Sequence, residues 1–312
     1  MINYENKNHN VSIGICAYNE EKNIARLLSN LLTEQDLSLD SEIIVICSGC
    51  TDSTPEIVRS FCEKDRRVKL IVEPTRNGKI SALNKILSLY DGDYFVNLDA
   101  DHMPLPGAIS YLIPHFKNPS VGVVSGCQIP IDRDGFMAKI GQTVWSLHNS
   151  TQCYCNHHGV DQHLGGVLFA IKRGVCDHIP EDIVNDDGYI GVDARRKGFK
   201  VLFEERARAL FRTPETIPEY ITQRRRFVYG HLKVKKETGV SPMVLQMCHP
   251  SDQIKILLDW FVRNPHLSLY FFVACVLEAY INFLVRLDIM KKSNPYKIWR
   301  IAESTKMEVP LR

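Results

Sequence analysis

The chain has 312 residues, 24% charged and 45% hydrophobic, which excludes a disordered polymer, a small disulfide-stapled protein and a protein with many membrane spans. The formal net charge of +2 is divided unevenly. Residues 1–210 contain 22 Lys and Arg against 27 Asp and Glu, a net charge of −5, whereas residues 211–312 contain 16 against 9, a net charge of +7. We therefore expect the C-terminal third to meet an anionic partner.

The N-terminus and the cysteines predict a reducing compartment. The first ten residues are polar and lack the apolar segment of an export signal. Several of the ten cysteines lie in or beside apolar stretches, as buried thiols of a cytoplasmic protein do. We expect the catalytic part of the chain to face the cytoplasm.

Strands and helices alternate along the first half of the chain. Short apolar runs predict strands over residues 11–17, 42–47, 68–72, 93–98 and 121–125. Asn19 is predicted to cap a helix whose apolar residues follow at helical spacing, and further helices are predicted over 53–63 and 81–89. Because the strands are continuously apolar, we expect an α/β fold with a mostly parallel sheet flanked by helices.

Polar residues follow each predicted strand, at the edge where such sheets bind ligands. The sharpest example is Asp99-Ala100-Asp101, which places two carboxylates directly after an apolar strand. Carboxylates this close repel each other unless a cation joins them, and a divalent cation that arrives with substrate phosphates meets that need. The alternative is a solvated turn.

Five segments, in order, resemble the motifs of glycosyltransferase family 2, the inverting nucleotide-sugar transferases of the GT-A fold. They are Ala17-Tyr18-Asn19-Glu20-Glu21, the stretch 76–84, Asp99-Ala100-Asp101, Asn185-Asp186-Asp187 with Gly198 eleven residues on, and Gln223-Arg224-Arg225-Arg226-Phe227. The last is similar to the Q-x-x-R-W motif of polysaccharide-synthase-like members. The resemblance covers about residues 11–239 and implies a GT-A (Rossmann-like) catalytic domain over 1–239.

The resemblance also implies roles for individual residues. Asp101, helped by Asp99, would hold Mg²⁺ or Mn²⁺, and Asp187 would be the catalytic base. Arg226 and Lys79 would add positive charge near the diphosphate, and Gly165 and Gly166 would allow close approach of the acceptor. The remaining substrate-binding positions are Ala17, Tyr18, Glu20, Ser48, Asp186, Gln223 and Phe227.

For two of these elements the residues leave a second interpretation open. Asp186 and Asp187 could form the acidic first turn of a helix, which is compatible with a catalytic role. Gly165 and Gly166 could simply form a turn before a strand.

The chain departs from the family pattern at two places. Cys47 and Ser48 stand where the family has an Asp pair that helps to hold the nucleobase. Phe227 replaces a Trp, which keeps the aromatic face and loses the indole donor.

A cysteine- and histidine-rich stretch over 153–158, with His163 nearby, has two interpretations. Its spacing does not match paired zinc ligands. An aromatic and imidazole lining for a sugar or a lipid headgroup is favoured.

The C-terminal part, residues 240–312, is predicted to be a helical, membrane-associated segment. A basic helix over 223–236 precedes it and is expected to face an anionic leaflet. An amphipathic stretch follows over 254–262, and residues 267–285 are apolar except for three positions, one of them Glu278. That run could span the bilayer, lie in its interface, re-enter it, pack in an oligomer or be a buried soluble helix.

Together these features predict a metal-dependent inverting glycosyltransferase that uses a nucleoside-diphosphate sugar, with UDP-sugar favoured. Its acceptor would be a hydroxyl of a lipid-linked or membrane-proximal glycan. A polyprenyl-phosphate sugar synthase is an alternative, and a non-catalytic nucleotide- or glycan-binding module is an alternative of another class. No nucleic-acid partner is expected. A dinucleotide oxidoreductase is excluded because it needs G-x-G-x-x-G at the first strand, where Gly14 is a lone glycine.

Overall fold

A computed structural model describes residues 10–131, 133–160, 162–242, 248–290, 296, 298 and 302–309. The strands are β1 Val11–Ala17, β2 Glu42–Ser48, β3 Val68–Glu73, β4 Tyr94–Leu98, β5 Met103–Pro104, β6 Val121–Pro130, β7 Leu168–Lys172 and β8 Lys200–Phe211. The helices are α1 Ile24–Thr33, α2 Thr54–Cys62, α3 Lys79–Leu89, α4 Ala108–Leu112, α5 Phe136–His157, α6 Asp186–Arg196, α7 Ile217–Thr238, α8 Pro250–Arg263 and α9 Ser268–Met290.

The described strands form one sheet with the order β3-β2-β1-β4-β7-β6-β8-β5. β1 pairs in parallel with β2 and β4, and β2 pairs in parallel with β3. β7 runs antiparallel to both β4 and β6, while β8 is parallel to β6. The predicted α/β fold is confirmed, and its first half is parallel as expected, but the sheet as a whole is mixed.

Alternate side chains of the central strands pack on opposite faces of the sheet. On β2, Val45 and Cys47 join the core cluster that contains α1, whereas Ile44 and Ile46 join the cluster that contains α3. Helices therefore cover both faces, and all four of these side chains are buried. Gly14 allows the close packing on the second face, because a Cβ there would lie 2.5 Å from the Phe95 ring.

The prediction that Asn19 caps the first helix is wrong. Helix α1 begins at Ile24 with Asn23 at the N-cap position, and Asn19 lies in the left-handed region with φ 53°. Its side-chain amide donates to Thr51 Oγ1 at 3.0 Å and accepts the Thr51 backbone N–H at 2.8 Å. Asn tolerates this conformation, and here its amide ties the loop after β1 to the loop after β2.

Helix α9 packs along α7 through ion pairs. The Arg224 guanidinium contacts both carboxylate oxygens of Glu278 at 2.7 and 3.0 Å, and Arg225 contacts Asp288 at 2.7 Å. These two arginines therefore face α9, so the expectation that the basic helix faces an anionic leaflet is wrong for these two residues. The cause is that α9 carries its two acids toward α7, where each would otherwise be an unpaired charge.

The opposite stripe of α9, with one side of α8, is exposed and apolar. We call it the apolar face; it consists of Ile254, Leu258, Val262, Leu269, Phe272, Val276, Tyr280, Phe283, Leu287 and Met290. Within the described ranges, Pro265–Met290 is the one helical segment long and apolar enough to cross a membrane. The division of the chain after Gly239 stays a prediction, and the structure adds that α9 packs on α5 and α7.

Candidate active site

The C-terminal ends of β1, β2 and β4 open into a cavity of about 1110 Å³. Parallel strands end at the same edge of a sheet, so residues far apart in sequence meet there. The cavity brings together every site residue predicted from the sequence: Ala17, Tyr18, Glu20, Ser48, Lys79, Asp99, Asp101, Gly165, Gly166, Asp186, Asp187, Gln223, Arg226 and Phe227.

Asp99, Asp101 and His102 form a compact group after β4. One ligand atom from each lies within 4.8 Å of the others, and His102 Nδ1 is 2.6 Å from Asp101 Oδ1. Burial raises the pKa of Asp101, but the adjacent His102 outweighs it and brings this pKa to about 2. The two carboxylates suit Mg²⁺ or Mn²⁺, and the His102 imidazole adds a nitrogen ligand that suits Mn²⁺, so the residues fit a divalent cation.

Lys79 joins two of the acids of the cavity. Its Nζ lies 2.8 Å from Asp99 Oδ1 and 2.9 Å from Asp186 Oδ2, and the side chain is only 16% exposed. Although burial lowers the pKa of Lys79, the two carboxylates raise it well above its ordinary value, so the ammonium stays charged. The first residue of α3 thereby fixes the end of β4 against the start of α6.

Asp187 lies in the first turn of α6, whose N-cap is Asn185. Its Oδ1 accepts the Gly188 N–H at 2.6 Å, which fixes the direction of the carboxylate. Burial and the neighbouring Asp186 raise the pKa of Asp187 to about 7. The acidic helix start predicted from the sequence is confirmed, and it holds a carboxylate that takes up and releases a proton near neutral pH.

The Gly165-Gly166 segment passes close to this carboxylate. A Cβ at Gly166 would lie 2.7 Å from Asp187 Oδ2, and a Cβ at Gly165 would lie 2.3 Å from Gln128 Nε2. The Gly165 N–H donates to Ser125 Oγ at 3.0 Å. The chain bends at Gly166 just before β7, and a side chain at Gly166 would press on Asp187, whereas one at Gly165 would press on Gln128.

At the other end of the cavity, Ser48 is held by an acid from the next strand. Ser48 Oγ donates to Glu73 Oε2 at 2.7 Å, and the Arg76 guanidinium lies 4.0 Å from the centre of the Tyr18 ring. Cys47 is fully buried in the core and does not line the cavity. Of the two positions where the family has Asp, Ser48 therefore faces the cavity, and Glu73 supplies a carboxylate behind it.

Helix α7 contributes Gln223, Arg226 and Phe227 to the same cavity. The Arg226 guanidinium lies 4.8 Å from the centre of the Phe227 ring. Burial lowers the pKa of Arg226, although four acids led by Asp186 and Asp99 oppose this shift. A guanidinium that faces a group of carboxylates is placed to meet charged substrate groups there.

A model of the glycosyl transferase family 2 domain matches residues 12–179, more than half of the chain. The chain belongs to glycosyl transferase family 2. It is therefore a glycosyltransferase, and the resemblance inferred from its motifs is confirmed.

A curated family 2 relative is a poly-beta-1,6-N-acetyl-D-glucosamine synthase of Staphylococcus epidermidis. It is 26% identical over 281 residues, which cover 88% of this chain and 65% of the relative. This chain thus spans about two thirds of that relative's length.

Two solved structures show the fold. A mannosyltransferase from Pyrobaculum calidifontis, in complex with GDP-Man and Mn²⁺, has a TM-score of 0.61 at 21% identity and covers 94% of this chain and 83% of its own. Glucosyl-3-phosphoglycerate synthase from Mycobacterium tuberculosis, in complex with Mn²⁺, UDP-Glc and phosphoglyceric acid, has a TM-score of 0.51 at 18% identity and covers 74% and 80%. The predicted GT-A architecture is confirmed.

Sequence reasoning missed a part of the cavity wall that comes from the far end of the chain. The Lys306 ammonium donates to the Tyr18 carbonyl and, at 3.1 Å, to the Asn19 carbonyl, and it pairs with the Glu20 carboxylate. Ala302, Thr305 and Lys306 line the cavity beside the β1 end. No local pattern signals this contact, because it joins residues almost 290 positions apart.

The histidines at the end of α5 were expected to line the substrate cavity, but they lie outside it. His157 and His158 are exposed and do not line the cavity, whereas His148, His163 and His231 do. Among the described residues, the one group whose spacing suits a metal ion is Asp99, Asp101 and His102, so the end of α5 shows no zinc site.

Proposed function

We propose that this glycosyltransferase transfers a sugar from a nucleoside-diphosphate sugar, with UDP-sugar favoured, to a hydroxyl of a lipid-linked or membrane-proximal glycan, with inversion. The observation that carries the proposal is Asp187, whose carboxylate has a pKa of about 7 and faces the cavity that also holds Asp99 and Asp101. A base with such a pKa is matched to removing a hydroxyl proton at neutral pH.

In the proposed reaction the acceptor oxygen forms a bond to the anomeric carbon as the bond from that carbon to the diphosphate oxygen breaks. Asp187 takes the hydroxyl proton, and the nucleoside diphosphate leaves. Arg226 stabilises the negative charge that grows on the leaving group, and Lys79 holds Asp99 and Asp186 in position. Asp101 and Asp99 would hold a divalent cation, which would supply positive charge to the diphosphate.

The donor end of the cavity supports nucleotide binding. Ala17, Tyr18 and Ser48 form its wall, with Ser48 oriented by Glu73. We propose that the Ser48 hydroxyl contacts the nucleobase directly and that Glu20 and Lys306 close the wall beside it. The two solved structures of the same fold contain GDP-Man or UDP-Glc together with Mn²⁺, which supports a nucleotide-sugar donor and a metal.

A thermal-shift screen of UDP-, GDP- and TDP-sugars, each with and without Mn²⁺, tests the donor and the metal. We expect one nucleotide to stabilise the protein in the presence of Mn²⁺, by about 2.7 kcal/mol at a hundredfold excess over Kd. Asp101→Asn should abolish the metal-dependent part of the shift while the protein stays folded. A shift that is equal for all three nucleotides, or unchanged by Asp101→Asn, would contradict the proposal.

We further propose that the apolar face lies on the cytoplasmic surface of a membrane. Phe271, Ala274 and Glu278 on α9 line the cavity, whereas Phe272 and Phe283 belong to the exposed stripe. One face of α9 is thus committed to α7 and the cavity, which favours an interfacial helix over a free span. An acceptor at the membrane would then lie next to the cavity.

Flotation with phosphatidylcholine–phosphatidylglycerol vesicles measures this association. We expect the protein to float, and Phe272→Glu with Phe283→Glu to reduce the bound fraction about tenfold, because charges on the inserted face oppose insertion. Leu39→Glu is the matched control, since Leu39 is also apolar and 73% exposed but lies outside the apolar face. Equal flotation of both variants would argue against this surface.

A further inference from the structure

A continuous row of aromatic rings lines the cavity and begins at His102, beside Asp101. We call it the ring row; it consists of His102, Phe211, Trp145, His148, His163 and His231. Successive ring centres are 5.1, 5.1, 5.4, 5.8 and 5.3 Å apart. The rings come from β8, α5, α7 and two loops. They are therefore brought together by the tertiary fold and not by any single element.

The three histidines at the far end of the ring row are neutral at pH 7. Burial is the main cause in each case, and it brings the pKa of His148 to about 3 and that of His163 to about 4, while that of His231 falls well below its ordinary value. His163 Nδ1 lies 2.8 Å from the Pro242 carbonyl oxygen and therefore carries the proton, which leaves its Nε2 as an acceptor. A neutral imidazole offers one donor and one acceptor, the pair that a hydroxyl group also offers.

The cations near these histidines have other contacts. Arg195, whose field reaches His163, donates to the Gln162 carbonyl oxygen at 2.9 Å and does not line the cavity. Arg224 is the cation whose field reaches His148 and His231, and both oxygens of Glu278 hold its guanidinium. Lys79 and Arg226 face the carboxylates around Asp99 and Asp186 instead. A phosphate placed on the imidazole end of the ring row would find polar groups but would lack a dedicated cation among these side chains.

Beside the ring row, the buried side-chain amide of Gln128 has an oxygen without a hydrogen-bond partner among the described residues. Gln128 is 1% exposed and lines the cavity. Its Nε2 lies on the side of Gly165, so the amide is close to the segment that passes Asp187. A buried acceptor without a partner is costly unless a ligand supplies a donor, and a sugar hydroxyl supplies one.

We propose that the ring row with Gln128 is the acceptor subsite of this enzyme and that it binds an uncharged glycan chain and not a phosphate-bearing lipid headgroup. The rings stack on the apolar faces of the sugars, while the imidazoles and the Gln128 amide bond their hydroxyls. The inference rests on the proposed function, in which Asp187 takes a proton from a hydroxyl. It adds the chemical class of the acceptor and residues that the family motifs do not contain.

Calorimetric titration tests the subsite with two kinds of probe. The first is a set of short neutral oligosaccharides of glucose and of N-acetylglucosamine, and the second is a short-chain polyprenyl phosphate. We expect an oligosaccharide to bind and Trp145→Ala to weaken its binding about tenfold to a hundredfold, because a stacking surface is lost. Trp260→Phe is the matched control, because Trp260 is buried against Ser146 outside the lining of the cavity.

A second pair of variants separates binding from folding. His148→Leu keeps the volume but removes the polar atoms, and it should weaken oligosaccharide binding. His148→Gln restores a donor and an acceptor and should recover most of the loss. Nucleotide-dependent thermal shifts should be the same in both variants as in the wild type, because the donor end is untouched.

Two failures are distinguishable. Turnover of a nucleotide-sugar without oligosaccharide binding, or with binding unaffected by Trp145→Ala, would overturn the glycan subsite and leave the proposed function standing. Transfer to the polyprenyl phosphate would overturn the glycan subsite and also the glycan acceptor of the proposed function. Absence of any nucleotide-sugar binding or turnover would overturn the proposed function itself.

Discussion

Asp187→Asn is expected to reduce sugar transfer by about 10²- to 10⁴-fold and, at the same time, to raise the stability of the protein at pH 8. The loss of activity follows from removing the proposed base. The gain in stability follows from the raised pKa of Asp187, about 7 against an ordinary 3.8, which shows that the fold penalises its negative charge. Asn keeps the shape without the charge, and we expect a gain of about 1 to 3 kcal/mol.

The pH dependence gives this prediction a sign that can be checked. Because the folded-state pKa is raised, the unfolded chain ionises first, and the wild type loses stability relative to Asp187→Asn as pH rises from about 4 to about 7. Above pH 7 the difference is constant. The wild-type transfer rate should fall about tenfold per pH unit below 7, as the base becomes protonated.

Thermal denaturation across pH 4 to 9, together with a transfer assay over the pH range where the protein stays folded, measures both effects. Asp193→Asn on the same helix is the control, because Asp193 pairs with Lys197 and does not line the cavity. It should leave both profiles unchanged. A stability difference between wild type and Asp187→Asn that does not vary with pH would mean that the pKa of Asp187 is not raised to near neutrality.

Features that depend on neighbouring residues in the chain could be predicted from the sequence, whereas features that depend on distant residues could not. The strand ends could be predicted because each combines a continuous apolar run with polar residues directly after it, as Asp99 and Asp101 show. The direction of β7 could not, since a buried strand carries the same apolar pattern whichever way it runs. Asn19 was misassigned because the same side chain suits an N-cap and a left-handed turn.

The site shows the same division. Family motifs located Asp187, Arg226 and the two glycines, whereas His102 was overlooked although it directly follows Asp101. Two contacts join residues that are far apart in the chain: Glu73 with Ser48, and Lys306 with the Tyr18 carbonyl. No sequence spacing predicts either of them. The ring row belongs to the same class, because its rings meet only when α5, α7 and β8 are in place.

Many charges of the basic C-terminal part are paired with acids of the same chain. Arg224 and Arg225 of the basic part pair with Glu278 and Asp288, while Arg226 and Lys306 face the acids of the cavity, which belong to the negatively charged part. The anionic partner expected from the net charge of +7 is thus in part the same chain. The surface left for a membrane is chiefly apolar, so salt should affect vesicle binding less than substitutions at Phe272 and Phe283.

Lys79→Met is expected to cause the largest loss of stability, on the order of 3 to 5 kcal/mol. The Lys79 ammonium lies within 3 Å of both Asp99 and Asp186 and pairs directly with each. Met fills a similar volume and leaves two close carboxylates without this partner. Removing one member of a buried charge group is costly because the remaining charges stay desolvated.

Chemical denaturation at pH 7 measures the loss, and Lys85→Met on the same helix is the control. Lys85 contacts Glu73 at 3.4 Å but is 43% exposed, so its loss should cost less than about 1 kcal/mol. Adding Asp186→Asn to Lys79→Met should recover part of the stability, because one stranded charge is removed. The deficit of Lys79→Met should also shrink as pH falls toward 5, since protonation of a stranded carboxylate replaces the missing cation. If the loss of stability in Lys79→Met changes neither with pH nor with the second substitution, Lys79 stabilises the protein through its packing and not through its charge.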